Sequence, residues 1–248
     1  MLRSKSTLAL SLILAAAAPL VRAQDPAPVA PQDAPPQAEV SQLTEAQLRY
    51  AELVASMDWV RGPGDGRLGE RAKIAVPEGY SFTGAKDTQR LMEAMQNSVS
   101  GAELGYLEPV GDNWYVVFEY DESGFVKDDD KSELDADELL ETLREGQETG
   151  NELRKLRGWD TLEIEGWATP PHYDTVTNNL EWATIAKSSS GGRSVNHNTR
   201  LLGRKGVMQV TLVCNPEQHT TALPRFHELL GGFGYVPGER YSEFSSGD

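Results

Sequence analysis

Residues 169–183 read TPPHYDTVTNNLEWA and set His172 two residues before Asp174, in a polar segment opened by two prolines. A histidine beside a carboxylate is the pair a hydrolase uses to move protons. The residues that follow supply partners. If the strands of residues 178–187 and 195–203 pair as a hairpin, Asn178, Glu181, Trp182, Asn196, Asn198 and Arg200 fall near one another. The loop carrying His172, Tyr173 and Asp174 then lies at one end of them, and Arg204 sits at the next turn. Rings, amides and guanidinium groups in that mixture suit a groove for a carbohydrate or a peptide. The candidate binding residues are therefore His172, Tyr173, Asp174, Asn178, Trp182, Asn196, Asn198, Arg200 and Arg204. A plainer use of the same residues is the more economical one. Asp174 and Thr175 close a side-chain turn after the prolines, the tryptophans fill a core, and the arginines pair with surplus acids.

Other spacings that could carry chemistry fail their physical tests. Gly64, Gly66 and Gly69 spell a G-x-G-x-x-G. Dinucleotide binding needs a strand before those glycines and a helix after them, whereas here a helix precedes and a strand follows, so a turn is expected. Asp128 and Asp130 are spaced like the first ligands of a calcium loop, but the sixth position is Glu133 where that loop needs glycine. Cys214 ends an apolar run, and a nucleophilic thiol wants an electropositive, accessible setting, so a buried cysteine is expected despite nearby His219. His219 and His227 are eight apart, outside the i, i+4 spacing that puts two ligands on one helix face. His227 reads as a partly exposed surface residue. With no H-E-x-x-H, G-x-S-x-G, P-loop or paired cysteines, no catalytic residue, metal or cofactor is expected.

These residues need elements to hold them. Thr44 with Gln47 forms a capping box, and Leu43 with Leu48 a staple, for a helix whose stripe is Tyr50, Leu53, Val54 and Met57. Residues 73–83 read as a strand interrupted at Pro77, then KDTQRLMEAMQN as a helix capped by Asp87. NWYVVFEY, residues 113–120, is dense in β-branched and aromatic residues and reads as a strand. Asp135 caps the next helix, with Leu139, Leu140 and Leu143 on its buried face and a second helical stretch near NELRKL. TLEIEGWA and NLEWATIAKS alternate apolar and polar residues, SVNHNTRLLGR follows a Ser/Gly turn, and GVMQVTLVC follows a turn at Arg204-Lys205-Gly206; the short connections give an antiparallel meander. ALPRFHELLGGF is a helix stopped by Gly231 and Gly232, and YVPGERYSEF a turn and a short strand. The fold class is α+β, a largely antiparallel sheet packed against flanking helices.

The N-terminus addresses the compartment. A short basic region, an apolar stretch and Val21-Arg22-Ala23 predict a signal peptide over residues 1–23. Its apolar run is shorter than the ~20 residues of a spanning helix, and an uncleaved anchor is the alternative. Residues 24–42 are rich in Pro, Ala and Gln and form a linker, leaving residues 43–248 as one α+β domain. The chain of 248 residues has a formal charge of −15, and removing residues 1–23 leaves 20 basic against 38 acidic residues. So acidic a surface repels nucleic acid and anionic headgroups, and both are discounted as partners. A lone cysteine rules out an intramolecular disulfide.

GFVKDDD, GWATPPHYDTVTNNLEWA, VNHNTRLLGRKGV and AVPEGYSF resemble the signature stretches of a bacterial membrane-anchored family classed as a domain of unknown function. The resemblance runs in order from about residue 43 to the end and implies no reaction. It implies hydrophobic membrane helices beyond Gly247-Asp248, so either the sequence ends before them or this member is soluble once exported. It implies an aromatic residue where this chain has His197. A helix-flanked meander opened by IAVPEGY also resembles the sandwich of certain small photosystem-associated and nuclear-transport accessory proteins. The expected function is an exported, envelope-facing binding or accessory module that is not an enzyme, with an envelope protein or ligand as partner. Membrane association would run through a missing C-terminal anchor or an uncleaved N-terminal segment. The alternative is a hydrolase of an envelope polymer using His172 and Asp174.

Overall fold

A computed structural model describes residues 44–126, 135–174 and 179–245. The signal and linker segments, Leu43, the Asp128/Asp130 run and Asn178 lie outside the described residues. Helix α1 (Glu45–Ala55) starts at Thr44, which accepts the Gln47 N–H at 3.3 Å while the Gln47 side chain accepts the Thr44 N–H at 2.7 Å. Strands β1 (Val60–Arg61), β2 (Gly64–Leu68) and β3 (Ala72–Val76) follow. The glycine stretch expected as a turn is therefore mostly strand β2, paired antiparallel with β3. Gly66 is needed there for close approach, since a Cβ would lie 2.7 Å from the Phe82 ring, and only Gly69, with φ +59°, makes the turn.

Pro77 divides the expected strand in two and sends the halves to different sheets. Strand β4 (Tyr80–Gly84) leads directly into α2 (Ala85–Ala94), whose cap is Gly84 and not Asp87. Asp87 instead sits in the first turn, where its carboxylate accepts the Asp58 N–H at 2.9 Å and pairs with Arg90 at 2.7 Å. Strand β5 (Glu103–Pro109) has no counterpart in the sequence reading, because Gly105 breaks its pattern. A Cβ at Gly105 would come within 2.6 Å of Leu68 and Phe82. Strand β6 (Tyr115–Asp121) matches the NWYVVFEY expectation. Helix α3 (Ala136–Leu156) is capped by Asp135 and runs unbroken through Gly146 and Gly150. Each interior glycine costs about 1 kcal/mol of helix stability, and tertiary ties offset it. Arg144 donates to the Ile164 carbonyl at 3.2 Å, Asn151 to that of Leu162 at 2.8 Å, and Arg154 to that of Gln96 at 2.7 Å.

The meander is β7 (Leu162–Tyr173), β8 (Leu180–Ser188), β9 (Arg193–Leu202) and β10 (Val207–Cys214). A 3-10 turn at Pro216–Gln218 enters α4 (His219–Leu230), which stops at Gly231, and β11 (Phe233–Tyr235) follows. The short strand expected after Pro237 lies before it. Tyr241–Glu243 is a 3-10 turn, folded by the Glu243 carboxylate accepting the N–H groups of Gly238 at 2.7 Å and Arg240 at 2.9 Å.

The fold is α+β. Eight strands form one antiparallel sheet in the order β1-β4-β5-β6-β10-β9-β8-β7, and β11-β3-β2 form a second. Two meanders thus abut at the β6–β10 pair. The main apolar cluster joins the inner face of the large sheet, through Phe118, Met208, Val210 and Leu212, to the small sheet and to Phe226 of α4. On the outer face α2 covers Tyr106, Val117 and Val213, and α3 covers Ile164, Trp182 and Ala186.

Candidate functional site

Strands β8 and β9 pair with Glu181 opposite Thr199, Trp182 opposite Asn198, and Ala183 opposite His197. Opposed residues share a face and neighbours along a strand do not. The pleat therefore divides the cluster expected from the sequence. Trp182, Asn196, Asn198 and Arg200 point to the outer face, and Glu181 points to the inner face with His197.

On the outer face β9 lies between the strands bearing the two apolar clusters, and from 194 to 200 it contributes only Ser194, Asn196, Asn198 and Arg200, all buried, before Leu202 ends the strand. Around them stand Thr184 of β8, Gln209 and Thr211 of β10, and Glu119 of β6, also buried. The result is a polar seam in the middle of the sheet. One cross-strand row of it runs Tyr173, Leu180, Arg200, Gln209, Glu119, Glu103. Part of the seam is internally satisfied. Thr211 donates to Asn198 at 3.0 Å, Asn198 to the Asn196 carbonyl at 3.2 Å, and Glu103 accepts from Ser100 N at 2.8 Å and Gly101 N at 2.9 Å. Several buried atoms have no hydrogen-bond partner: both Glu119 carboxylate oxygens, Arg200 Nε, Asn196 Oδ1, Thr184 Oγ1 and, at the adjoining β7 position, Trp167 Nε1. Burial, with the charge of Glu103 added, pushes the Glu119 carboxyl well above its ordinary value. Burial pulls the Arg200 guanidinium down, against the opposing field of Asp121 and Tyr173.

The inner face carries a compact cluster of a different kind. Glu181 Oε2 lies 3.2 Å from His197 Nε2 and 3.1 Å from His227 Nε2. Its other oxygen, Oε1, accepts from the Thr199 hydroxyl at 3.2 Å. His197 Nδ1 lies 3.2 Å from His219 Nε2, and Phe226 packs edge-on against the His197 ring. Glu181 and His197 are buried, with side chains 2% and 1% exposed, while the His227 side chain is 37% exposed. Burial works to raise the Glu181 carboxyl, yet hydrogen bonds and charge from His197 and His227 outweigh it and hold the group below its ordinary value. Burial and the neighbouring His197 lower His219. The ligand atoms of Glu181, His197 and His227 lie within 4.8 Å of one another, so these three side chains could hold a metal ion.

A family model described as "Protein of unknown function (DUF2167)" matches residues 60–248. The chain belongs to that family. No curated protein matches it. Among solved structures it is similar to cyanobacterial PsbP (CyanoP) from Synechocystis sp. PCC 6803, at TM-score 0.40 and 9% identity over 73% of this chain and 94% of that one. It is also similar to the Ran-binding protein Mog1p of Saccharomyces cerevisiae, at TM-score 0.33 and 15% identity over 77% of this chain and 100% of that one. No function is taken from either.

Within this DUF2167 chain the residues nominated by sequence lie in four places. Asn196, Asn198, Arg200 and Trp182 meet on the outer face, with Tyr173 in the Arg200 row. His172 stands opposite Glu181, but its ring is exposed and its Nδ1 lies 3.1 Å from the Pro170 carbonyl oxygen. TPPHY is the end of edge strand β7 and not a loop, while Thr175 of the expected side-chain turn lies outside the described residues. Register shifts between Trp167 and His172 absorb the prolines, which an edge tolerates. Asp174 follows the strand, its N–H donating to the Asn179 carbonyl at 2.9 Å. Arg204 sits at the β9–β10 turn, where its Nη1 donates to the Gly238 carbonyl at 3.2 Å. Cys214 is buried as expected, and burial pushes its thiol up to about 12.

Sequence reasoning missed the His197–Glu181–His227 cluster because it sought a second ligand on the same helix. The partners come from strands. The available signal was parity: Glu181 and Ala183 share a face, and a hairpin in this register sets His197 opposite Ala183.

Proposed function

We propose that this chain is an exported, envelope-facing, non-enzymatic binding or accessory module whose ligand is hydroxyl-rich, a segment of envelope carbohydrate held along the outer-face seam. The observation that carries the reading is the set of buried seam atoms without partners. A buried polar atom left unpaired costs about 1–3 kcal/mol, so native structures supply partners for such atoms. The unpaired set mixes acceptors (Glu119, Asn196) with donors (Arg200 Nε, Trp167 Nε1) and a hydroxyl, Thr184, that can be either. These atoms are sealed from solvent, so a sugar hydroxyl, which gives and takes a hydrogen bond at one oxygen and answers both kinds, reaches them once the covering side chains move aside. Among the described residues no helix is long and apolar enough to cross a membrane, so attachment in this reading runs through the N-terminal segment or a further C-terminal one.

The test is titration calorimetry of the purified protein with soluble envelope glycan fragments, followed by mass spectrometry of the recovered fragment. Saturable binding to wild type, weakened at least tenfold in Asn198→Ala and Arg200→Met with the circular dichroism spectrum unchanged, is expected, and the fragment is recovered intact. Absence of binding sinks the carbohydrate reading. A cleaved fragment sinks the non-enzymatic one.

A further inference from the structure

We propose that Glu181, His197 and His227 form a binding site for a divalent first-row transition ion of the zinc class, on the sheet face opposite the polar seam. The donor set is two imidazole nitrogens and one carboxylate oxygen, which suits zinc and its neighbours and not the all-oxygen shells that calcium and magnesium prefer. A tetrahedral zinc ion with bonds of about 2.0–2.2 Å sets its ligand atoms about 3.3–3.5 Å apart. Glu181 Oε2 already lies 3.2 Å and 3.1 Å from the two Nε2 atoms, and all three ligand atoms fall within 4.8 Å of one another, so an ion is reached by rotating the imidazoles about a carboxylate already in place.

The groups behind the ligands hold them in the required orientation. Thr199 donates to Glu181 Oε1 and leaves Oε2 for the ion. With the His197 Nε2 lone pair turned to a cation, its proton sits on Nδ1, where His219 Nε2 lies 3.2 Å away to accept it. Such an outer hydrogen bond fixes the tautomer of a ligating histidine. Phe226 packs against the same ring and limits its rotation. The half-exposed His227 marks the way in from solvent, and three protein ligands leave a fourth position for water or another ligand. His219 and His227 are separated by eight residues because they do not share an ion. His227 ligates, and His219 positions His197 from the other side of its ring.

The test uses the full chain without a tag, stripped with chelator and titrated with zinc chloride by calorimetry and with cobalt(II) by visible absorption. One ion per chain is expected, with a tetrahedral cobalt spectrum. His227→Ala and Glu181→Gln should weaken binding at least tenfold, His219→Ala should weaken it less, and His172→Ala should leave it unchanged. Since Glu181 is buried and its variant can fail to fold, His227→Ala, at a half-exposed position, decides. Failure of wild type to bind one ion saturably overturns the proposal. So does wild-type affinity in His227→Ala, or a loss in His172→Ala as large as that in His227→Ala.

Discussion

Replacing Glu119 with glutamine should stabilise the protein at neutral pH and leave it unchanged in acid. Glu119 is 3% exposed and neither carboxylate oxygen has a partner, while Glu103 stands opposite it on β5. Burial first, and then the Glu103 charge, raises its carboxyl well above the ordinary value. A raised carboxyl means that the folded state holds the proton more tightly than the unfolded state. Stability is therefore fully present below the unfolded value, near 4.3, and declines as pH rises from there through the folded value. The decline is about 1.4 kcal/mol per pH unit while the unfolded chain is ionised and the folded one is not. Glutamine keeps the shape and does not titrate. Its own buried amide still lacks partners, so the gain is only the charged part of the burial cost, on the order of 1–3 kcal/mol at pH 7.5. In a domain of this size that raises Tm by roughly 2–12 °C, at about 2–4 °C per kcal/mol. Thermal unfolding of both proteins from pH 4 to pH 8 measures it. Curves that run parallel across that range, or a glutamine variant less stable at pH 7.5, would refute the reasoning.

Other outcomes follow from the same packing. Trp182→Ala empties the floor beneath α3 and should cost about 3–5 kcal/mol in urea unfolding. Gly66→Ala drives a methyl group to within 2.7 Å of the Phe82 ring and should cost about 1–3 kcal/mol by the same measurement. The Cys214 thiol, pushed up to about 12 by burial, should resist a disulfide reagent at pH 8 in the native state and react at once in denaturant.

Legibility in the sequence followed the range of the forces involved. The α1 capping box and the Asp135 cap are local hydrogen bonds, and Thr44 and Asp135 sit where the sequence puts them. Strands β7 and β8 alternate strongly enough to be read directly, and β9 and β10 are legible from the short turns that precede them. What failed depended on contacts distant in sequence. Strand β5 is masked by Gly105, whose reason is the Phe82 ring and the Leu68 side chain. Strand β2 looks like a glycine turn for the same reason, because Gly66 exists for Phe82. Helix α3 looks like two pieces until Arg144, Asn151 and Arg154 are seen tied to β7 and to the end of α2. At the candidate site the right strands were named, with Asn196, Asn198, Arg200 and Trp182 together on one face. The wrong element was Glu181, grouped with them although it belongs to the other side. Its true partners on α4 are 46 residues away at His227.

That sorting rests on a single register. Each of β8 and β9 alternates between two kinds of environment: Glu181, His197 and Thr199 under α4, and Trp182, Asn196, Asn198 and Arg200 under the outer helices. A one-residue slip of β8 against β9 would exchange the faces, bringing Trp182 into the histidine cluster and Glu181 under α3, where it would meet Leu140, Leu143 and Ile164. Burying a carboxylate there, without His197, His227 or Thr199 to receive it, costs several kcal/mol. The polar side chains of this hairpin therefore do a second job besides any ligand they hold. They specify the one pairing in which Glu181 meets His197, His227 and Thr199. Ordinary apolar alternation would set the same register only weakly here, because β9 offers hydrophobic residues on neither face between Ser194 and Arg200 except Val195.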